Sequence, residues 1–170
     1  MEVRKIMTSD LAACSPDTNL SAAAGLMWQY DCGVIPVIDE NQKVMGVITD
    51  RDICMAAVMN NRPASQIAVS EVISGEVYTC APEDEVSEAL AIMQRRQVLR
   101  LPVVDKDGTL QGILSMNDIV LRAEDGRKSA GGGISYADVI NTRKVIGKHR
   151  DLSQGEWPSA GHTEPYSMRA

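Results

Sequence analysis

The sequence predicts an α/β (α+β) protein in which two pseudosymmetric β-α-β-β-α repeats pack together, followed by a C-terminal helix and a tail. Three observations carry this. The chain repeats itself without insertion at an offset of 66 residues, pairing Val3/Val69, Cys14/Cys80, Pro16/Pro82, Met27/Met93, Pro36/Pro102, Asp39/Asp105, Gly46/Gly112, Asp52/Asp118 and Ile53/Ile119. Apolar residues switch within each repeat from helical spacing to short continuous runs. Each pair of runs is joined by four turn-forming residues.

The elements follow in order. An extended stretch ends at Pro16 or Pro82, because the residue before proline is biased away from helix. Asp17, Thr18 and Asp84 offer N-cap oxygens. A helix follows with Leu20, Ala23, Ala24 and Met27, or Val86, Ala89, Leu90 and Met93, on one face. Strands Val34–Ile38 and Val44–Ile48 form one hairpin, and Leu101–Val104 and Leu110–Leu114 the other. Pro36 and Pro102 point to an edge or a strand start, since proline cannot donate to a ladder. A second helix begins near Asp50 or Met116. The expected boundaries are 1–60 for the first repeat and 61–124 for the second. A flexible Gly-rich linker is expected over 125–134, a helix capped by Ser135 over 135–150, and a disordered tail over 151–170. That helix carries Val139, Thr142, Val145 and Ile146 as a stripe, and three docking places are open to it: its own module, a dimer mate or another protein.

Composition narrows the functions. The 170 residues carry a net charge of −6, as −8 over 1–124 and +2 beyond, so the main body lacks the basic face that nucleic acid requires. Both histidines, His149 and His162, lie beyond the repeats, which argues against a structural zinc site or a Ser-His-Asp triad within them. The longest apolar runs are short and no leader-like segment opens the sequence. A cytoplasmic protein with reduced thiols is therefore expected. Cys14 and Cys80 occupy equivalent places, where they form either a redox pair or two small buried residues.

The repeat resembles a tandem pair of CBS domains, a Bateman module. The resemblance covers residues 1–124 and rests on Ile35-Pro36-Val37-Ile38-Asp39 with Gly46-Val47-Ile48-Thr49-Asp50-Arg51-Asp52, echoed by Leu101-Pro102-Val103-Val104-Asp105 with Gly112-Ile113-Leu114-Ser115-Met116-Asn117-Asp118. It implies an adenosine-containing ligand (AMP, ADP, ATP, S-adenosylmethionine or NAD) in clefts between the repeats. Asp52 and Asp118 would take the ribose hydroxyls, because a carboxylate only accepts. Thr49 and Ser115 would lie near ribose or phosphate. Adenine would sit against the main chain at Ile35, Pro36, Leu101 and Pro102, and more loosely at Ala13 and Thr79. Ser/Thr-x-x-Asp at a helix start is also a plain capping arrangement. Arg100, beside Leu101-Pro102, is either a phosphate contact or a solvated arginine; its first-repeat counterpart is Val34, so the clefts are chemically unequal. The apolar end of the second helix, Met55–Met59, implies a homodimer in this family.

No catalytic set, metal spacing or required cofactor is visible. The expected function is a non-enzymatic sensor that binds an adenine nucleotide or related ligand and signals to a protein partner. The alternative is a ligand-free dimeric interaction or stress-response protein with vestigial clefts.

Overall fold

The computed structural model describes residues 1–73, 76–125 and 133–148. The first repeat contains α1 (Leu20–Gln29), β1 (Val34–Ile38), β2 (Val44–Thr49) and α2 (Asp50–Met59). The second contains α3 (Val86–Arg96), β3 (Arg100–Val104), β4 (Leu110–Ser115) and α4 (Met116–Val120), and α5 (Tyr136–Ile146) follows. Short 3-10 turns stand at Val3–Lys5, Ala64–Gln66 and Val69–Glu71.

Each repeat folds into an antiparallel hairpin with matching register, Ile35 opposite Ile48 and Leu101 opposite Leu114. The turn chemistry is shared. The Asp39 carboxylate accepts from the N–H groups of Asn41 and Lys43 at 2.8 and 2.9 Å, and that of Asp105 from Asp107 and Thr109 at 2.9 and 3.0 Å. Those backbone bonds, led by Thr109, hold the Asp105 carboxyl below its ordinary range. The two turns meet: the Val44 N–H donates to Gly108 at 3.2 Å and the Leu110 N–H to Gln42 at 3.0 Å. Residues 42 and 108, and 44 and 110, are repeat equivalents, so the pseudo-twofold passes between the hairpin turns.

The first β element of each repeat is shorter than expected. It is a single bridged residue, with the Cys14 N–H donating to Pro36 at 3.1 Å and the Ile38 N–H to Cys14 at 2.9 Å; Cys80 does the same with Pro102 and Val104. Pro36 and Pro102 thus lie mid-strand, not at a strand start. Residues 36 and 38 turn their polar groups toward Cys14, so the missing proline N–H faces away from β2 and no hairpin bond is lost.

Two helix starts also differ from expectation. Asn19 caps α1, its Oδ1 accepting from the Ala22 N–H at 2.9 Å. α3 begins after Glu85, whose N–H donates to Glu88 at 3.1 Å. Thr18 and Asp84 instead close the preceding turns, accepting from the N–H groups of Ser15 at 3.1 Å and Ala81 at 2.8 Å.

The two cores exchange their opening segments. Val3 and Ile6 are buried with Val86, Met93, Leu101 and Leu114 of the second repeat, while Val69 and Val72 are buried with Leu20, Ile35 and Ile48 of the first. Equivalent bonds clip them in place: the Val3 N–H to Asp84 at 2.9 Å and the Arg4 N–H to Pro82 at 3.0 Å, the Val69 N–H to Thr18 at 2.8 Å and the Ser70 N–H to Pro16 at 2.9 Å. Of the three places open to it, α5 takes its own module, packing on α3 and α4 with Ile134 and Val139 in the second core. Most of the expected linker, and all of the expected tail, fall outside the described residues.

Candidate functional site

The Ser/Thr-x-x-Asp motifs form reciprocal capping boxes at α2 and α4. The Asp52 carboxylate accepts from the Thr49 N–H at 2.9 Å and its hydroxyl at 2.6 Å, while the Asp52 N–H donates back to Thr49 Oγ1 at 3.1 Å. Asp118 repeats this with Ser115 at 2.7, 2.6 and 3.2 Å. Ser135 and Asp138 build a third such box at α5, outside the repeats, with bonds of 3.0, 2.7 and 3.2 Å. The box by itself therefore reports a helix start and not a ligand. What separates Asp118 from the others is its surroundings.

A cleft of about 530 Å³ opens beside Asp118. One wall comes from the first repeat, through Thr8, residues 10–12 and residues 30–34. The opposite wall is Leu99, Arg100, and Ile113 with residues 115–118 of the second repeat. Val139, Ile140 and Arg143 of α5 close the third side. The N-terminal segment is fixed beside β4 by reciprocal 2.9 Å bonds between Thr8 and Ile113. It crosses Gly112 so closely that a Cβ there would stand 2.8 Å from the Thr8 carbonyl oxygen. This passage brings the Thr8 hydroxyl to 3.5 Å from Asp118 Oδ1. Ser115 engages Asp118 Oδ2, so Oδ1, with this one long contact, retains acceptor capacity toward the cleft.

The structure brings three of the expected site residues to this cleft: Arg100, Ser115 and Asp118. Val34 and Arg100, equivalent in the repeat, both line it, one apolar and one cationic. Arg100 has no ion-pair partner among the described residues. Arg96, another candidate cation, stacks on Tyr78, 4.5 Å from the ring centroid. Thr49 and Asp52 do not line this cleft; Ser74, the counterpart of Thr8, falls outside the described residues. The side chains of Ile35, Pro36, Leu101 and Pro102 are buried, and the carbonyls of both prolines already accept from Cys14 and Cys80. Thr79 is half-buried and apart from the cleft. α4 is only five residues long, so its macrodipole is weak, and cationic character at the cleft comes from Arg100 and Arg143 instead.

Thr8, Tyr30 and the α5 residues are the part of the cleft that sequence reasoning missed. Two signals were available: Thr8 and Ser74 are hydroxyl residues at the repeat offset, and Val139 and Arg143 are four apart on one helix face.

The CBS domain family profile matches residues 3–58 and 69–125. The chain belongs to the CBS domain family. It is a tandem CBS pair, a Bateman module, and its relatives agree. It is 34% identical over 133 residues to the CBS domain-containing protein YhcV of Bacillus subtilis, covering 78% of this chain and 92% of that one. It is 33% identical over 119 residues to an inosine-5'-monophosphate dehydrogenase of Methanocaldococcus jannaschii, covering 69% of this chain but only 23% of the enzyme. The CBS domain pair of protein MJ0100, solved in complex with 5'-methylthioadenosine and S-adenosyl-L-methionine, shares the fold at a TM-score of 0.65. It is 23% identical, with 71% of this chain and 94% of that chain covered.

Within this CBS pair, α5 lies beyond the residues the family profile matches, yet it walls the cleft. Cys14 and Cys80 are two small buried residues. Burial pushes Cys14 up to about 11 and Cys80 up to about 12, the nearby Asp84 adding to the latter, and all four cysteines are free. Among the described residues no cluster of His, Cys, Asp and Glu could hold a metal ion, and no helix is long and apolar enough to cross a membrane.

Proposed function

We propose that this CBS pair is a non-enzymatic regulatory module. It binds an adenosine-containing ligand in the cleft between its repeats and signals its occupancy to a protein partner. The carrying observation is the position of Asp118, which lines a cleft together with two arginines from separate elements, its Oδ1 taking a 3.5 Å contact from the Thr8 hydroxyl. Asp118 accepts from the ribose hydroxyls. Arg100 and Arg143 meet the ligand's anionic group, a phosphate or a carboxylate. Tyr30, Leu11 and Ile113 offer apolar surface to the base. The MJ0100 pair, which holds two adenosine-bearing molecules, supports the reading at the level of the fold.

Because α5 supplies one wall, a ligand held by Arg143 stabilises the docked position of α5. Ligand and α5 position are thereby coupled, since a ligand shifts only an equilibrium whose states it binds unequally. The exposed Met55, Val58 and Met59 of α2, with Val120 and Leu121 at the matching end of the second repeat, form the face of a proposed homodimer. Free thiols suit a reducing, cytoplasmic setting.

The test is thermal unfolding with millimolar AMP, ADP, ATP, NAD or S-adenosylmethionine. A ligand at ~100 times its dissociation constant adds about 2.7 kcal/mol and raises the melting temperature by several degrees. The expected result is a shift with one of them that Asp118→Ala abolishes while the variant stays folded. No shift with any of the five would replace this reading with a ligand-free interaction module.

A further inference from the structure

The groove that α5 fills on the second repeat has a bare counterpart on the first. The two frames match closely. Asp31 and Gln97 end α1 and α3 with φ of 48° and 55°. The Cys32 N–H donates to Met27 at 3.0 Å and the Val98 N–H to Met93 at 3.1 Å. The Asp50 N–H donates to Gly33 at 3.2 Å and the Met116 N–H to Leu99 at 2.9 Å. On the second repeat this frame receives α5: Leu90 is buried in a core that includes Ile134 and Val139, and Gln94 bonds Thr142 at 2.6 Å. On the first repeat the same frame borders a cavity of about 450 Å³, and Trp28, the counterpart of Gln94, is 91% exposed.

The exchanged side chains say what the bare groove takes. Ala24 for Leu90 and Gly33 for Leu99 remove apolar bulk. The Asp50 carboxylate, where the second repeat has Met116, fills the space above Gly33; a Cβ there would lie 2.9 Å from its Oδ2. Asp31 replaces Gln97, so two carboxylates line the cavity. Neither has an ion-pair partner among the described residues. Trp28 adds an open aromatic face, which attracts a cation.

We propose that this groove docks a cationic amphipathic helix of another protein. Its apolar stripe would lie over Ala24 and Ile53, and flanking Lys or Arg would meet Asp31, Asp50 and Trp28. The α5 of a second copy is a poorer occupant. Its Thr142 is wholly buried and bonded to Gln94 in its own groove, so docking on a second copy would first have to break that contact. The groove deepens the regulatory reading by naming a partner surface, and its test is run without nucleotide so that the two ideas fail separately.

The chain has two tryptophans, so Trp157→Phe leaves Trp28 as the sole reporter. The probe is a synthetic peptide of sequence 134–148 bearing Thr142→Leu and Asp138→Lys. A control peptide has its cationic residues changed to Glu. The expected result is a saturable blue shift of Trp28 emission with the cationic peptide only, weakened at least tenfold by Asp31→Lys with Asp50→Lys. A second variant, Ala24→Arg, blocks the groove sterically and abolishes the shift with circular dichroism unchanged. The proposal is overturned by the absence of a saturable shift, or by equal shifts with both peptides. It is also overturned if Trp28 emission is already blue-shifted without peptide, whether that signal depends on protein concentration (a second copy) or is lost on removing 151–170 (the chain's own tail).

Discussion

Gln94 donates a 2.6 Å hydrogen bond to Thr142, joining α3 to α5 across 48 residues of sequence. Thr142 is wholly buried, and this bond satisfies its hydroxyl within an otherwise apolar contact. Thr142→Val keeps the shape but strips Gln94 of its acceptor. Gln94 is half-buried and can turn to water, so the expected loss is about 0.5–1.5 kcal/mol in urea unfolding. An unchanged midpoint would mean that α5 is held by its apolar contacts alone.

Arg143 tests the third wall of the cleft. It is exposed and without an ion pair among the described residues, so Arg143→Ala leaves stability within about 0.5 kcal/mol. Affinity for a charged ligand falls in calorimetric titration, while affinity for uncharged adenosine holds. Equal loss for both would assign Arg143 to folding of the wall rather than to the anion.

Two glycines separate a forced glycine from a free one. Gly112→Ala drives a Cβ to within 2.8 Å of the Thr8 carbonyl, which is backbone and must shift. It should cost about 1–3 kcal/mol and loosen the N-terminal segment that forms one side of the cleft. Gly25 in α1 has nothing within 4 Å of an added Cβ, so Gly25→Ala should stabilise by about 0.5–1 kcal/mol. Chemical denaturation of both variants reads the contrast, and equal effects would refute the close approach.

The buried thiols give a pH dependence of defined sign. With folded values of about 11 and about 12 against an ordinary 9.0, Cys14 and Cys80 stay neutral in the native protein where the unfolded chain ionises. Their contribution is complete below about pH 9 and declines as pH rises toward 12, because the unfolded state sheds its protons first. The melting temperature should therefore fall between pH 8.5 and 10.5, and fall less in a Cys14→Ala, Cys80→Ala variant. At pH 8 a thiol reagent should modify the exposed Cys54 first and reach Cys14 and Cys80 only on unfolding.

Much of the architecture was legible because backbone-specifying residues recur in both halves. Asp39 and Asp105 mark the hairpin turns, and Thr49 and Ser115 mark the starts of α2 and α4. The pseudosymmetry itself is visible in the spacing of Pro36 and Pro102. What stayed hidden depends on tertiary contact. Val3 and Val69 are apolar on any reading, and nothing local says that each belongs to the other repeat's core. Asn19, not Thr18, caps α1, the Thr18 hydroxyl being already committed to Ser15. At the cleft, Arg100, Ser115 and Asp118 were found through a motif. Thr8 and Arg143 were not, since their place depends on how the N-terminal segment crosses Gly112 and where α5 docks.

The exchanged opening segments give the chain a particular order of assembly. The first repeat lacks Val69 and Val72 until the chain is synthesised past both. The second repeat follows the first in synthesis but needs Val3 and Ile6, which emerge before it. The segment at residue 3 must therefore wait, unsheltered, for Asp84 to arrive, and joining the two closes a long loop. Either half, cut out alone, would lack part of its core. A nascent chain stalled between the repeats would leave Val3 and Ile6 without their core and open to chaperones, and the two repeats should fold and unfold as one cooperative unit.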